Sequence, residues 1–278
     1  MGVQAFRAGS LGSGAAAADP GLVSLLALAR ARPELAWPAG ADIANAHNAH
    51  YTNTLAQMAA ALMGDHNWLE GDVALIDGTP VMRHDGRQRV ELTLEQWLQV
   101  AAASGRGAKV EVKDRAALPQ VLELVRRSGI PQHRLIFNIG PGPASNLLLI
   151  RQHFRDAIIN VAPEADAHLT SADIVQLQVA ARIAGGRIMF PLRIDTVDEA
   201  VVAALRPLGR VAIWNSPELW IPREDDVQRL RAMGVDGMID LRDAANAWQR
   251  IQAAAVAGAT HVFGWDAVHT ALDAVGWL

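Results

Sequence analysis

Four short polar clusters lie between Ala46 and Asp114, and each of them stands at the end of an apolar stretch. Together they contain three carboxylates in Glu-x-Asp and Glu-x-Lys patterns, with two or three histidines nearby. This combination is what one hard divalent cation and an acid–base pair require. The clusters are His47-Asn48-Ala49-His50, Glu70-Gly71-Asp72, Arg83-His84-Asp85 and Glu111-Val112-Lys113.

The spacing within two of these clusters places their charged groups together. Alternate residues of a β-strand point to the same face, so Glu70 and Asp72 share one face, and Glu111 and Lys113 share another. A strand that buries two carboxylates on one face needs a metal ion or another partner to offset their desolvation. Function is therefore expected at these positions.

The composition limits the classes of protein that this chain can belong to. Its 278 residues are 51% hydrophobic and 19% charged, which is typical of a globular protein with a large core. A net charge of −4 gives no sign of a basic surface, so nucleic acid is not expected as a partner. The absence of cysteine excludes disulfides, thiolate metal sites and a cysteine nucleophile.

The apolar runs are too short for a membrane span, which needs roughly 18 residues or more. Residues 1–20 are rich in Gly, Ala and Ser and lack a continuous apolar segment near the start, so we expect a flexible leader rather than a secretory signal. These features predict a soluble, cytoplasmic protein, with export left open. They give no indication of its oligomeric state.

The elements that must position the polar clusters alternate between strand and helix. Apolar runs of strand length occur at 42–47, 68–76, 108–113, 134–139, 157–162, 187–194, 211–215 and 237–241. A short amphipathic segment, Leu22–Arg32, precedes them. The helical patterns between and after the strands are Thr54–Met63, Leu94–Ala103, Ala116–Ser128, Ala144–Phe154, Ser171–Ala184, Thr196–Leu205, Glu224–Met233 and Ala244–Ala257.

Eight strand–helix units favour a single (β/α)8 barrel over residues 21–278. The strands are almost continuously apolar, as expected for a parallel sheet that helices cover, and no Gly-x-Gly-x-x-Gly loop follows the first strand. Active sites of such barrels lie at the C-terminal ends of the strands. The polar residues at or near those ends are His50, Glu70, Asp72, Glu111, Lys113, Asn138, Asn160, Arg193, Asn215 and Asp240.

The order of the motifs resembles the glycerophosphodiester phosphodiesterase-like superfamily, which includes sphingomyelinase D of the spider-venom type. Within it the chain is most similar to the menorin-like branch, and the likeness covers about residues 42–243. The motifs that carry it are His50-x-x-Asn53, Leu69-Glu-Gly-Asp-Val73, Asp77-Gly-Thr-Pro-Val-Met-x-His84-Asp85, Leu92-Thr-Leu-Glu-Gln-Trp97, Glu111-x-Lys113 and Asn138-Ile-Gly-Pro-Gly-Pro143.

The resemblance implies a role for each matching residue. Glu70, Asp72 and Glu111 match the carboxylates that hold one divalent cation, Mg²⁺ or Ca²⁺, and His50 and His84 match the general acid and base. The first histidine lacks the Arg-Gly and Glu-Asn that follow it in the glycerophosphodiesterases proper, so fold and site transfer more readily than substrate.

Six further residues are candidates for supporting roles. Lys113, Asn138, Arg193 and Trp214 are expected to contact substrate, while His47 and Asn53 are auxiliary candidates. Each has a structural alternative: an ion pair for Lys113, a rigid turn for Asn138, an ion pair with Asp195 or Asp240 for Arg193, and core packing for Trp214. His47 could also replace His50 as the working histidine or orient it.

The leading interpretation is a metal-dependent phosphodiesterase that hydrolyses or cyclises a glycerophosphodiester or a phospholipid-type phosphodiester. The rival from another class is a non-catalytic menorin-like barrel that binds a ligand or a partner. A Schiff-base isomerase or aldolase using Lys113 is disfavoured, because the neighbouring acids would keep this lysine protonated.

Overall fold

The computed structural model describes residues 19–86, 88–164, 169–215 and 224–240. Most of the expected leader and the predicted helix Ala244–Ala257 lie outside these ranges. The first helix begins at Pro20, where the Asp19 side chain accepts a hydrogen bond from the Gly21 amide.

Eight parallel strands form a nearly closed barrel, which confirms the predicted fold class. A further described strand, β3, lies outside the circuit and pairs antiparallel with β2. The circuit runs β1-β2-β4-β5-β6-β7-β8-β9. The strands are β1 Asn48–Ala49, β2 Trp68–Ile76, β3 Thr79–Met82, β4 Gly107–Val112, β5 Leu135–Ile139, β6 Ile158–Val161, β7 Ile188–Arg193, β8 Arg210–Trp214 and β9 Ile239–Asp240.

Helices connect the strands, and several begin at a residue that caps them. Thr54, Thr93 and Thr170 each form a reciprocal capping box with the side chain three residues later. The helices are α1 Pro20–Arg30, α2 Leu55–Met63, α3 Leu94–Ser104, α4 Leu118–Ser128, α5 Ala144–His153, α6 Ser171–Ala184, α7 Glu199–Leu205 and α8 Glu224–Ala232.

The secondary-structure prediction was wrong at the first strand, and it did not include β3. The apolar run 42–47 contains a 3₁₀ turn, Ile43–Asn45, and the first strand is the two-residue β1 that follows it. The motif after β2 turns at Asp77 and Gly78, both with positive φ, and returns as β3. A tight hairpin turn needs that backbone conformation at its two central residues.

The interior of the barrel is apolar at one end and polar at the other. Because alternate residues of β2 share a face, Trp68 points inward together with Glu70 and Asp72. Trp68 belongs to an inner apolar cluster, while the larger core lies between the strands and the helices. The inner cluster consists of Trp37, Ile43, Ala46, Trp68, Ile136, Ile158, Met189, Ala212 and Met238. This apolar cluster fills the N-terminal end of the barrel interior, and the polar side chains lie at the C-terminal ends of the strands.

Among the described helices, none combines the length and the hydrophobicity needed to cross a bilayer.

Candidate functional site

Three carboxylates converge at the C-terminal ends of β2 and β4. Asp72 pairs in register with Glu111 on the adjacent strand, and Glu70 lies one inward position earlier. One carboxylate oxygen from each of the three lies within 4.8 Å of the others. Glu70 and Asp72 are fully buried, and Glu111 is partly exposed. The sequence predicted this cluster from the two-residue spacing.

The segment after β1 holds two of these carboxylates by hydrogen bonds. Asn53 bonds Asp72 twice: its Nδ2 donates to Oδ2 of Asp72, and its Oδ1 accepts from the Asp72 amide, both at 2.8 Å. The Tyr51 amide donates to Glu70 Oε2 at 2.8 Å. Tyr51 has φ 53°, an uncommon conformation for a residue with a side chain, and it aims this amide at the carboxylate.

Two lysines place positive charge beside the cluster. The Lys113 ammonium bonds Glu111 and lies 3.2 Å from Asp72 Oδ1, so the ion pair considered for Lys113 is present. Burial alone would raise the pKa of Glu111, but Lys113 and Lys109 outweigh it and lower this pKa to about 2. Burial opposes the charge on Lys113, yet Asp72 and Glu111 raise its pKa above the ordinary value.

The two deeper carboxylates are shifted in the opposite direction. Burial raises the pKa of Glu70 well above its ordinary value, and the charge of Asp72 raises it further. Burial followed by the charge of Glu111 raises the pKa of Asp72. Ionising both carboxyl groups in this water-poor site is therefore costly, and a bound cation would lower that cost.

The residues fit a hard divalent cation. Three carboxylates supply only oxygen ligands, the type that Mg²⁺ and Ca²⁺ prefer. Glu70 Oε1 is buried and has no hydrogen-bond partner within the described part of the chain, although the other oxygen of the same group bonds Tyr51. A buried anionic oxygen without a partner is costly, and a bound cation would remove that cost.

His50 stands beside the acidic cluster and is oriented by the last strand. Its Nδ1 lies 2.7 Å from Asp240 Oδ2, and Asn48 Nδ2 donates to the same oxygen at 2.8 Å. A carboxylate at Nδ1 fixes that nitrogen as the donor, so Nε2 is the ring nitrogen suited to proton exchange. The side chain is only 10% exposed and lines the cavity described below.

His84 approaches the same cavity from the loop after β3. Its ring packs edge-on against Tyr51, with centroids 4.7 Å apart, and Tyr51 also packs edge-on against His50 at 5.4 Å. The His84 amide donates to Gln88 Oε1 at 2.8 Å, which anchors the loop. The two histidines therefore both contact one aromatic ring.

A cavity of about 290 Å³ opens between these groups. Its lining includes all four predicted substrate contacts: Lys113, Asn138, Arg193 and Trp214. Asn138 Nδ2 donates to Glu111 Oε2 at 2.6 Å, so this side chain also positions a carboxylate. Arg193 forms a bidentate ion pair with Asp195, at 2.5 and 2.9 Å. This is one of the two ion pairs that the sequence suggested as a structural role for Arg193.

His47 is not part of this site. It precedes β1, its ring packs against His66 at 4.5 Å, and its Nδ1 lies 3.7 Å from Asp65 Oδ1. These residues lie at the N-terminal ends of the strands, away from the cavity. Of the two auxiliary candidates, the fold thus brings Asn53 to the carboxylates and leaves His47 apart.

Sequence reasoning missed Lys109 and the partnership of Asp240 with His50. Lys109 is buried, lines the cavity and lies on the same inward face of β4 as Glu111. The two-residue spacing that linked Glu111 with Lys113 could also have found it. No local signal links Asp240 to His50, because 190 residues separate them.

Comparison with known proteins finds sequence similarity over part of the chain. Residues 42–159 match the Menorin N-terminal domain. Human Protein FAM151B is 31% identical over 124 residues, which are 41% of this chain and 45% of that protein. The chain therefore matches less than half of this relative's length.

Two solved structures share the fold at low sequence identity. A protein assigned as a glycerophosphoryl diester phosphodiesterase, from Silicibacter pomeroyi DSS-3, is 18% identical with a TM-score of 0.51, covering 83% of this chain and 98% of its own. A protein assigned as a glycerophosphodiester phosphodiesterase, from Galdieria sulphuraria, is 14% identical with a TM-score of 0.53, covering 70% and 92%. Residues 42–159 of this chain are thus similar to the Menorin N-terminal domain, and the chain has the barrel fold that these two proteins share.

Proposed function

We propose that the protein is a metal-dependent phosphodiesterase. One observation carries the proposal: three carboxylates converge within 4.8 Å of one another beside a cavity that two histidines also line. Glu70, Asp72 and Glu111 would hold one Mg²⁺ or Ca²⁺. When bound, the ion would supply Lewis-acid polarisation of the phosphate and orient it.

The protein's own residues would carry out the proton transfers. His50, oriented by Asp240, would take the proton from the attacking oxygen through Nε2, and His84 would protonate the departing alkoxide. Each such transfer contributes roughly 10²–10⁴-fold to the rate. The attacking oxygen belongs either to water or to a neighbouring hydroxyl of the substrate, which would give a hydrolysed or a cyclic product respectively.

The remaining side chains would bind the substrate. Lys109 and Lys113 provide positive charge beside the carboxylates and suit the anionic oxygens of a phosphodiester. Trp214 lines the cavity with an aromatic side chain, and Arg193 lines it with a guanidinium that Asp195 holds in place. A small or lipid phosphodiester of the glycerophosphodiester type matches this combination.

A non-catalytic binding barrel is the second candidate, and one contact favours it. The Lys113 ammonium already contacts both Asp72 and Glu111, so much of the acidic charge is balanced without an ion. A site of this kind could hold an anionic ligand through its lysines without turning it over.

Two measurements on the same preparation separate the candidates. Calorimetry with Mg²⁺ and Ca²⁺ should show binding by the unmodified protein and none by the Asp72→Asn variant. A panel of bis(p-nitrophenyl) phosphate, glycerophosphodiesters and lysophospholipids should then be turned over only by the unmodified protein. If the ion binds but the panel reacts no faster than with Asp72→Asn, the enzyme proposal fails and the binding barrel is the better account.

A further inference from the structure

The end of the barrel opposite the cavity carries a second group of metal-ligating side chains. We propose that His47, Asp65 and His66 bind a transition-metal ion of the Zn²⁺ type. One ligand atom from each residue lies within 4.8 Å of the other two. This proposal does not depend on the proposed phosphodiesterase activity.

The three ligands come from two segments that run side by side. His47 immediately precedes β1, whereas Asp65 and His66 lie in the loop between α2 and β2. His47 Nδ1 is 3.7 Å from Asp65 Oδ1, and the two imidazole rings have centroids 4.5 Å apart with planes inclined by 32°. Both imidazoles and the carboxylate therefore approach one point.

Hydrogen bonds of the backbone and of the Asn67 side chain hold these two segments at a fixed separation. The His47 amide donates to Asn67 Oδ1 at 2.7 Å, and the His47 carbonyl accepts from the amides of Asn67 and Trp68 at 3.0 and 3.1 Å. Asn67 Nδ2 also donates to the Asn45 carbonyl at 3.3 Å. The two segments that bear the ligands are thus joined before any ion binds, which lowers the entropic cost of assembling the site.

The burial of the three side chains suits a site that closes on an ion. His66 is only 7% exposed, whereas the side chains of His47 and Asp65 are 52% and 71% exposed. Tetrahedral Zn²⁺ with bonds of about 2.0–2.1 Å sets its ligand atoms about 3.4 Å apart. The exposed histidine and aspartate can rotate by the small distance required, while the buried imidazole stays in place.

The donor set indicates which metals would bind. Two imidazoles and one carboxylate suit Zn²⁺, Co²⁺ or Ni²⁺, in contrast to the all-oxygen cluster of Glu70, Asp72 and Glu111, which suits Mg²⁺ or Ca²⁺. Three protein ligands leave the remaining coordination positions to water. An ion here would join the start of β1 to the loop before β2.

The test uses untagged protein carrying Asp72→Asn, so that the acidic cluster does not compete for the ion. Zn²⁺ binding is measured by calorimetry, and Co²⁺ binding by its visible absorption. Adding His47→Ala or Asp65→Asn, both changes at exposed side chains, should weaken Zn²⁺ binding at least tenfold. His153→Ala, at an exposed histidine on α5, is the matched control and should bind as tightly as the parent.

The outcomes separate clearly. Loss of one bound Zn²⁺ per chain in both test variants, with the control unchanged, supports the site. Zn²⁺ should also raise the melting temperature of the parent protein, and this rise should disappear in the same two variants. Equal Zn²⁺ affinity of the parent and the His47→Ala variant would overturn the proposal, as would a parent protein that binds no Zn²⁺.

Discussion

At the scale of single residues, the buried carboxylate of Glu70 lowers the stability of the fold in a position where it could bind a cation. Its carboxyl group is fully buried, one of its oxygens bonds the Tyr51 amide, and the other has no hydrogen-bond partner within the described ranges. Burial and the nearby charge of Asp72 raise its pKa. The ionised group thus opposes folding when no cation is bound.

Replacing this group should therefore stabilise the metal-free protein. A raised native pKa means that the folded state binds the proton more tightly than the unfolded state. The pKa of Glu70 in the unfolded chain is about 4.3. The destabilisation by the ionised group increases as the pH rises from this value to the higher pKa of the folded protein, and it persists above that. Glu70→Gln should therefore raise the unfolding free energy at pH 7, because the amide keeps the shape of the group and removes its buried charge.

Urea unfolding in the presence of a chelator measures this effect. Glu123→Gln, at an exposed helix position paired with Arg126, is the control and should leave the unfolding free energy nearly unchanged, because exposed ion pairs contribute little. The Glu70→Gln variant should also lose its response to Mg²⁺. Destabilisation at neutral pH would contradict the argument, and so would a gain that is larger at pH 4 than at pH 7.

The histidine of the site gives a second prediction at this scale. His50→Ala should reduce the proposed phosphodiesterase activity by about 10²–10⁴-fold, because it removes the group to which we assign a proton transfer. Asp240→Asn should cause an intermediate loss, since the amide keeps the space but not the charge at His50 Nδ1. Steady-state kinetics on the best substrate of the panel, at saturating Mg²⁺, measures both losses.

His47→Ala is the control for these variants, because His47 is half-exposed at the opposite end of the barrel. It should retain nearly full activity with Mg²⁺. A fully active His50→Ala together with an inactive His47→Ala would reverse the assignment of the working histidine.

At the scale of elements, strand alternation explains both what could be predicted and what could not. Glu70 and Asp72 were found because the two-residue period of β2 places them on one face. The barrel followed from eight repeats of strand and helix. Two-residue β1 has no such period, so the apolar 3₁₀ turn Ile43–Asn45 was mistaken for the first strand.

Long-range partners escape this kind of reasoning for a physical reason. Asp240 reaches His50 only because β9 returns beside β1 once the barrel has formed. Neither residue carries a local signal of the other. Lys109, by contrast, obeys the alternation of β4 and could have been predicted as an inward-facing charge.

The outward-facing residues Leu69, Gly71 and Val73 of β2 are buried, and Gly71 tests how closely they are packed. A Cβ at this position would lie 2.3 Å from Met82 Cε and 3.0 Å from Trp97 Nε1. Gly71→Ala should therefore cost about 1–3 kcal/mol, the usual penalty of overpacking. Because the residue lies between Glu70 and Asp72, the substitution should also weaken Mg²⁺ binding.

Chemical unfolding and calorimetry check these two effects. Gly86→Ala is the control, since a Cβ there would meet only the Arg83 side chain at an ordinary 3.6 Å. A Gly71→Ala variant as stable as the unmodified protein would show that Met82 and Trp97 can move aside.

At the scale of the whole molecule, the barrel is closed by side chains. Strands β1 and β9 have two residues each, and the described pairings end with β9 on β8. Asp240 joins β9 to Asn48 and His50 at the end of the barrel that holds the cavity. The candidate active site therefore contributes to closure of the fold.

At the opposite end of the barrel, Arg231 joins the segments that precede its first and last strands. Its guanidinium donates to the carbonyls of Val235 and Gly237, at 3.0 and 2.8 Å, and to the carbonyl of Ala44 at 2.8 Å. One side chain on α8 thus connects the loop before β9 to the segment before β1, across 187 residues of sequence. Arg206 and Arg210 both contact Asp236 in the same region, the former by an ion pair and the latter through the Asp236 carbonyl.

The final prediction tests this closure. Arg231→Lys keeps the charge but cannot reach three carbonyls at once, so it should lower the unfolding free energy by about 1–3 kcal/mol, the cost of polar groups left without partners. Urea unfolding measures the loss. Arg229→Lys, two positions earlier on α8, removes only an exposed contact with Asp226 and should cost no more than about 1 kcal/mol. Mg²⁺ binding should survive in both variants, because the acidic cluster lies on β2 and β4. Equal stability of the two variants would mean that the barrel stays closed without the Arg231 contacts, and that the hydrogen bonds of Asp240 hold β9 against β1 by themselves.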